Sequence, residues 1–311
     1  MINSTAFSTI SQRSTLRFFL NVQQRKLHVH IHVRSWMHAK PNRENKPTSM
    51  PRYFELDRVI KTAIIDRSRL SCTHLVASVA LVIAEASLET VPKQILRHMS
   101  VTRYAQKIGK KPSEVLLDRS YHHSAMVTGR LLDVWKRGRP DLVHFALVEA
   151  LSTPLYLKNK LDVYVHTINS KVILIGANLR IPKSYFRFEG LMMKLFKDKV
   201  IKSDQDDRML LELLDDIPFE YLINNIARSS KSIGLSRIGV ASTTHEVVSK
   251  YIDRFDDCRC AIVIGGFPKG HFSDNIIKFL DNSYSLGKIA LEAHVVIARV
   301  LYECEKMLFI S

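Results

Sequence analysis

The last third of the chain alternates short apolar runs with amphipathic runs, and this alternation restricts the fold more than any other feature. Residues 236–241 and 260–264 are short and aliphatic, which predicts strands, and residues 246–253 between them have a helical pattern. We expect one more strand at residues 275–280 and a final helix at residues 286–305. Strands that alternate with helices predict a mostly parallel sheet with helices on both faces, an α/β fold.

A buried strand and a β-hairpin are predicted earlier in the chain. Residues 79–84 form a short, continuous apolar run, which is typical of a strand inside a sheet. Residues 161–167 and 171–175 are β-branched and aliphatic, and the turn residues Asn169 and Ser170 separate them. This pair therefore predicts a hairpin.

A helix with a charged start is predicted at residue 140. Pro140 suits the first turn because it lacks the amide hydrogen that would have no partner there. Asp141 follows it, where the helix dipole favours an ionised carboxylate, and Arg139 precedes it. Such a pair is either an ordinary ion pair at a helix start or part of a site that holds an anionic substrate beside a proton acceptor.

Three cations surround the start of a second helix. Pro182 disfavours helix at the residue before it, so we expect this helix at residues 184–196. Lys183 and Arg187 are four residues apart and can share a face, and Arg180 lies in the preceding loop. Cations without local acidic partners predict a phosphate clamp, with an ordinary solvated face as the alternative.

A glycine-rich loop follows the predicted strand at residues 260–264. Glycines at the carboxyl end of a strand let the backbone approach a ligand closely, which is where open α/β sheets bind cofactors. Gly265 and Gly270 have the spacing of a phosphate-binding nucleotide loop, but His271 and Phe272 stand where that loop needs Lys and Ser or Thr. We therefore exclude a nucleotide hydrolase.

The net charge of +16 predicts a polyanionic partner. Residues 1–50 contain eight Lys and Arg against one Glu, so they carry +7 of this charge. No apolar run reaches the roughly 20 residues that a membrane span needs, so nucleic acid is favoured over a membrane. The four cysteines show no paired C-x-x-C spacing, so no metal site is expected.

Residues 1–75 differ in composition from the rest, and we expect the folded domain to comprise residues 76–311. The first 50 residues are rich in Ser, Thr, Arg and His, with no sustained period. We interpret residues 1–75 as a basic extension that is disordered or not part of the native fold. A mitochondrial transit peptide and a basic arm that contacts RNA are the alternatives.

Six motifs in order resemble the Nep/Emg family of ribosome-biogenesis proteins, which are pseudouridine N1-methyltransferases of the SPOUT class. The resemblance runs from about residue 82 to the C-terminus and looks more archaeal than eukaryotic. The motifs are Ala-Ser-Leu-Glu-Thr at residues 86–90, Gly-Arg-Pro-Asp at 138–141, Ser-Thr-Pro-Leu at 152–155, Val-Tyr-Val-His-Thr at 163–167, Arg-Ile-Pro at 180–182 with the run at 187–192, and the glycine loop at 265–270.

The resemblance implies a SPOUT-type α/β knot, in which a C-terminal trefoil knot binds S-adenosylmethionine through its backbone, with a family-specific insertion formed by the β-hairpin and a helix. It implies a homodimer, small-subunit ribosomal RNA as substrate, and ribosomal proteins or assembly factors as further partners. We expect a cytoplasmic protein, or a nucleolar one if the source is eukaryotic.

The resemblance also assigns roles to particular residues. Cofactor contacts fall on Thr244, Gly265, Gly270, Asp281, Asn282, Ser283, Tyr284, Ser285 and Leu286, and RNA contacts fall on Arg139, Arg180, Lys183 and Arg187. Asp141 and Arg139 are the expected catalytic residues, with Asp141 accepting the N1 proton or orienting the base and Arg139 stabilising negative charge.

Two positions depart from the family pattern. Lys183 replaces the usual arginine and so loses a bidentate phosphate contact, and Ser285 replaces the usual proline before the leucine of the cofactor loop. The competing hypothesis is an RNA-binding assembly factor whose methylation is dispensable or lost.

Overall fold

A mixed sheet of eight strands in the order β4-β5-β3-β2-β1-β7-β6-β8 is the frame of the fold. The computed structural model describes residues 79–252 and 259–310, so the predicted extension at residues 1–75 lies outside the described residues. The strands are β1 (Val79–Ala86), β2 (Leu161–Thr167), β3 (Val172–Ile175), β4 (Val200–Lys202), β5 (Met209–Leu214), β6 (Lys231–Ala241), β7 (Cys260–Gly265) and β8 (Asn282–Ser285).

Nine α-helical segments connect these strands within the described ranges. They are α1 (Met99–Lys107), α2 (Arg119–Thr128), α3 (Pro140–Ala150), α4 (Pro154–Leu157), α5 (Tyr185–Asp198), α6 (Phe219–Tyr221), α7 (Thr244–Tyr251), α8 (Asp274–Ile277) and α9 (Ala293–Glu305). Helix α9 packs against α3, α7 and strand β7, and it closes the C-terminal half of the core.

The parallel half of the sheet places five strand ends at one edge. Strand β1 pairs in parallel with β2 and β7, and β6 pairs in parallel with β7 and β8. Residues Ala80 to Ala84 of β1 are completely buried, as expected for a central strand that is covered on both faces. The carboxyl ends of β1, β2, β6, β7 and β8 therefore meet at a common edge.

The predicted hairpin is confirmed. Strands β2 and β3 pair in antiparallel register, with Tyr164 opposite Leu174. Ser170 in the connecting turn has a φ of 54°, the left-handed conformation that a tight turn requires. Strands β5 and β4 continue the sheet in antiparallel fashion beyond β3.

The prediction of a strand at residues 275–280 is wrong. A short helix, α8, occupies Asp274–Ile277, and the strand follows later as β8. The run contains two adjacent isoleucines, of which Ile276 is buried and Ile277 is exposed. A run this short carries no period that separates helix from strand, so the apolar composition alone was misleading.

The final helix begins at Ala293, seven residues later than predicted. The residues before it form a loop in which Gly287 has a φ of 137°, a backbone conformation that helices do not contain. Strand β6 also begins at Lys231, five residues before the predicted start. The apolar patterns identified these elements but not their boundaries.

Candidate active site

A cleft of about 510 Å³ lies at the carboxyl edge of the parallel strands. The loop after β7, the loop after β8 and the first turn of α3 form its walls. Five of the nine predicted cofactor residues line it: Gly265, Gly270, Tyr284, Ser285 and Leu286. Volumes of roughly 300–1,000 Å³ are typical of small-molecule sites, so this cleft is large enough for a cofactor.

The glycine loop after β7 lies directly against the end of β1. The Gly266 amide donates to the Ala84 carbonyl and the Gly266 carbonyl accepts from the Ser87 amide, each at 2.8 Å. A Cβ at Gly266 would lie 2.7 Å from the Ile83 side chain, so only glycine fits without a shift. Gly270 has a φ of 101°, which other residues rarely adopt.

Alternate residues at the end of β1 hold the loop that precedes α3. Glu85 forms an ion pair with Lys136 at 2.8 Å and also accepts from the Ser273 amide at 3.2 Å. The Ser87 hydroxyl accepts from the Arg139 amide at 2.8 Å. These contacts fix the backbone immediately before α3 relative to the central strand.

A third contact comes from Glu89, whose carboxylate accepts two hydrogen bonds from Arg137, at 2.9 and 3.2 Å. The side-chain amide of Asn169 donates to the same carboxylate at 2.6 Å. Burial raises the pKa of Glu89, while the Arg137 charge and these hydrogen bonds oppose the shift. The ion pair is almost completely enclosed, because the Glu89 side chain is 2% exposed.

Arg139 and Asp141 form a bidentate ion pair at the start of α3. Arg139 Nε and Nη2 donate to the two Asp141 oxygens at 2.8 and 2.7 Å. Hydrogen bonding to Asp141 is the main cause that raises the pKa of Arg139. The next residue, Leu142, lines the cleft, so the pair stands beside the cofactor region. Both predicted catalytic residues are thus together, and the ion pair considered from sequence is present.

The three predicted phosphate-binding cations lie in the loop before α5 and in its first turn. Arg180, Lys183 and Arg187 are all exposed, and none pairs with an acidic side chain of residues 79–252 or 259–310. The buried His144 of α3 holds their loop, because its Nε2 donates to the Pro182 carbonyl at 2.7 Å. The cation cluster is therefore tied to the helix that carries Asp141.

The aromatic residues at the start of α5 differ in environment. Phe188 is completely buried, whereas Phe186 is 75% exposed beside the cations. Tyr185 is half-buried and donates from its hydroxyl to the Asp118 carboxylate at 2.7 Å. Burial and this hydrogen bond raise the pKa of Tyr185. The same hydrogen bond anchors the first turn of α5. Phe186 alone of these three is free to stack on a base.

The other predicted cofactor residues do not line the cleft. Asp281 lies at the opposite edge of the sheet, where its carboxylate accepts from the Ser232 amide at 2.7 Å. Asn282 donates to the Tyr251 hydroxyl at 2.6 Å. Thr244 and Ser283 are half-buried outside the cleft lining, and Thr244 begins α7. Their assignment to the cofactor stays a prediction.

Sequence reasoning missed several cleft residues. Ser236 and Arg237 of β6 line the cleft, as do Leu291 and Glu292 in the loop before α9. The apolar pattern predicts a helix at residues 286–305, and a helix there would not present Leu291 and Glu292 as loop ligands. The glycine at position 287 is the signal that marks this segment as a loop.

Neither a metal site nor a membrane segment is found among the described residues. Residues 79–252 and 259–310 contain no group of three or more His, Cys, Asp or Glu that could hold a metal ion. In the same part of the chain no helix combines the length and apolarity that crossing a membrane requires.

Comparison with known proteins decides the family. A family model described as EMG1/NEP1 methyltransferase matches residues 81–305. The chain belongs to the EMG1/NEP1 methyltransferase family. The matched range includes most of β1, all later strands, the cleft, the Arg139–Asp141 pair and α9, so the site described above lies within the part of the chain that the family model matches.

Individual relatives agree with this membership. The ribosomal RNA small subunit methyltransferase Nep1 of Thermococcus sibiricus is 39% identical over 201 residues, which cover 62% of this chain and 83% of that protein. The Nep1 of Saccharolobus solfataricus is 36% identical over 228 residues, which cover 73% of this chain and 97% of that protein.

A solved structure agrees as well. Archaeoglobus fulgidus Nep1 bound to S-adenosylhomocysteine matches with a TM-score of 0.64 and 34% identity, covering 74% of this chain and 98% of that one. These matches confirm the predicted α/β fold class of the EMG1/NEP1 methyltransferases and the prediction that the chain is an enzyme.

Proposed function

We propose that this enzyme methylates N1 of a pseudouridine in small-subunit ribosomal RNA, with S-adenosylmethionine as the methyl donor. Family membership and the relatives' description as small-subunit rRNA methyltransferases support the reaction and the RNA. The observation that carries the proposal is the arrangement of the site: a cofactor-sized cleft adjoins the start of α3, which carries a carboxylate–guanidinium pair, and the loop of the exposed cations is hydrogen-bonded to the same helix.

The cleft suits S-adenosylmethionine in size and in chemistry. Gly265 and Gly270 leave backbone exposed, as a ligand held mainly by peptide groups requires. Leu235 and Leu286 supply apolar surface, and the Glu292 carboxylate on the wall offers an acceptor. The structure of the Archaeoglobus relative with S-adenosylhomocysteine supports this assignment. When bound, the cofactor supplies an electrophilic methyl group.

Asp141 and Arg139 provide the acid–base chemistry at the reacting nitrogen. N1 of a pseudouridine carries a proton that must leave before or during methyl transfer. The Asp141 carboxylate can accept that proton or orient the N–H group, since its oxygens have lone pairs beyond those used by Arg139. Arg139 bonds Asp141 through Nε and Nη2, so Nη1 can donate to the base as negative charge develops.

Arg180, Lys183 and Arg187 position the RNA. Their exposed side chains form a surface that neutralises phosphates without reading sequence. Phe186, exposed among them, offers a ring on which a base can stack. Because His144 links this loop to α3, the distance from the phosphate-binding surface to Asp141 is fixed by the fold.

The reaction is tested with two short RNA hairpins that differ only in the target base, pseudouridine or uridine. We expect label from S-adenosylmethionine to enter only the pseudouridine hairpin, because uridine attaches its N1 to the ribose. Equal labelling of both hairpins would refute N1 specificity. Binding of both without labelling would favour the alternative function, an RNA-binding assembly factor that does not methylate.

The role of Asp141 is tested with Asp141→Asn. We expect the transfer rate to fall by roughly 10²–10⁴-fold, because the amide cannot accept the proton. Cofactor affinity should stay the same, since the side chain is not among those that line the cleft. Asp204→Asn removes the same charge from an exposed loop and serves as the matched control. A loss of folding in Asp141→Asn would instead assign Asp141 a structural role.

We also propose a homodimer and a cytoplasmic location. The homodimer rests on the family resemblance, and light scattering of the purified protein tests it. The reported relatives are archaeal proteins, which supports the cytoplasm.

A further inference from the structure

The exposed face of α5 continues the cation cluster toward the C-terminal end of the helix. At 100° per residue, Arg187, Lys194 and Lys197 fall within about 80° of one another, and all three are exposed. The opposite face carries buried residues such as Phe188 and Met192. From Arg187 to Lys197 the row spans about 15 Å along the helix axis.

Gly190 lies in the middle of this row and leaves the helix backbone open. A Cβ at Gly190 would meet no atom within 4 Å, so no packing contact inside the protein requires glycine there. A glycine inside a helix costs about 1 kcal/mol relative to alanine. Because Gly190 has no side chain, the helix surface between Arg187 and Lys194 is closer to the helix axis there.

A shallow groove adjoins the far half of the row. The groove has a volume of about 360 Å³, and Gly190, Lys194 and Lys197 of α5 form one side of it. Lys110, which follows helix α1, stands on the other side. Two acidic residues also line the groove. Of these, Glu114 pairs with Lys197 at 3.5 Å. Lys110, Lys194 and Asp198 form no ion pair among residues 79–252 and 259–310, so the three lysines against two carboxylates leave the groove a net charge of +1.

We infer that RNA flanking the target nucleotide binds along this row and in the groove with Lys110, beyond the predicted clamp. The inference rests on the proposed function, because it names a second contact surface for the same RNA. A polyanion fits better than a protein, since the row is cationic and presents no continuous apolar surface. Successive phosphates of an RNA strand are only several ångströms apart, so a row about 15 Å long reaches more than one of them.

The test compares a short pseudouridine hairpin with the same hairpin extended by additional stem. Lys110→Glu/Lys194→Glu reverses both unpaired charges. We expect it to bind the extended RNA about tenfold more weakly at low salt and to reduce the slope of log affinity against log salt by about 2. Affinity for the short hairpin should stay within about twofold of wild type, because the clamp and Asp141 are unchanged.

The matched control is Arg228→Glu/Lys278→Glu, which makes the same charge change on two exposed residues near the amino ends of β6 and β8. We expect this control to bind both RNAs as wild type does. If melting shows that the first variant is unfolded, Lys110→Gln/Lys194→Gln removes the charges without reversing them, and a reduced slope is still expected.

Two results would overturn the inference: wild-type affinity of a folded variant for the extended RNA, or equal losses on the two RNAs. Methyl transfer by the wild-type protein to the short hairpin is measured in parallel. Its absence refutes the proposed reaction, and the comparison of the two RNAs still decides whether the groove binds RNA.

Discussion

Removing Arg137 should destabilise the protein more strongly at alkaline than at acidic pH. In Arg137→Met, the Glu89 carboxylate keeps the Asn169 hydrogen bond but loses its ion-pair partner. The Glu89 side chain, which is 2% exposed in the wild type, stays buried. Removing one partner of a buried ion pair lowers the free energy of unfolding by about 3–5 kcal/mol, because a buried charge is left uncompensated. For a domain of this size that corresponds to a drop of roughly 6–20 °C in Tm.

The pH dependence follows from the direction of the Glu89 shift. Burial raises its pKa above the ordinary 4.5, and Arg137 opposes that rise, so removing Arg137 raises the pKa further. At pH values between the unfolded and the folded pKa, Glu89 therefore keeps its proton in the folded variant but has lost it in the unfolded chain. Stability therefore falls as pH rises from the unfolded pKa through the folded pKa, and the full loss is present above both.

Urea unfolding of Arg137→Met at pH 5.5 and pH 8 measures this effect. The double variant Glu89→Gln/Arg137→Met has no charge at either position, so it should lose less stability than the two single variants together, by about 2 kcal/mol or more. Its own stability should show no pH dependence that comes from position 89. Lys202→Met breaks an exposed pair with Asp207 and should cost less than about 1 kcal/mol at either pH. A loss for Arg137→Met that is below about 1 kcal/mol, or equal at both pH values, would refute the reasoning.

Three further changes test the site and its surroundings. Gly266→Ala places a Cβ 2.7 Å from Ile83, so we expect the free energy of unfolding in urea to fall by about 1–3 kcal/mol. Calorimetry should also show weaker binding of S-adenosylhomocysteine, and unchanged values of both would contradict the close fit. Tyr185→Phe removes a hydrogen bond to the Asp118 carboxylate and should cost about 1.5–3 kcal/mol without abolishing methyl transfer, and a stability equal to wild type would argue against that bond. Burial lowers the pKa of His166 from 6.5 to about 4, so the free energy of unfolding should fall by up to about 3 kcal/mol as pH falls from 6.5 to 4. His166→Leu should lose this dependence. If the variant and the wild type show the same dependence of stability on pH, His166 is excluded as its origin.

The elements with a clear local pattern were predictable from sequence. The hairpin combined two β-branched runs with Asn169-Ser170, and the α3 start combined Pro140 with an apolar run, so local chemistry and tertiary packing agree at both places. The helix predicted at residues 184–196 occupies Tyr185–Asp198 for the same reason.

The polar segment between β1 and α3 was not predictable in the same way. It contains α1 and α2, in each of which only three residues are buried, so neither contains a long apolar run like those of the predicted elements. Helix α2 depends on its cap, where the Asp118 carboxylate accepts from the Ser120 amide at 2.8 Å. His122 of α2 is completely buried, and its Nδ1 accepts from the Asp118 amide at 3.0 Å.

Contacts between distant segments are the part of the site that sequence reasoning could not supply. Glu85, Ser87 and Glu89 alternate along one strand end, and their partners lie about 50 positions later in the chain. Each residue taken alone fits a solvated turn equally well. Only the pairing of β1 with its neighbours determines that these side chains face the loop before α3.

Ser87 shows why the two halves of the site keep their spacing. Its amide donates to the Gly266 carbonyl in the cofactor loop, while its hydroxyl accepts from the Arg139 amide next to Asp141. One residue thus fixes both the loop that would hold the methyl donor and the backbone beside Asp141, the proposed proton acceptor. Ser87 is completely buried and directly follows the buried strand β1, so its position is set by core packing. Methyl transfer requires donor and acceptor in a near-attack geometry, and anchoring both segments to the central strand fixes their spacing before either substrate binds.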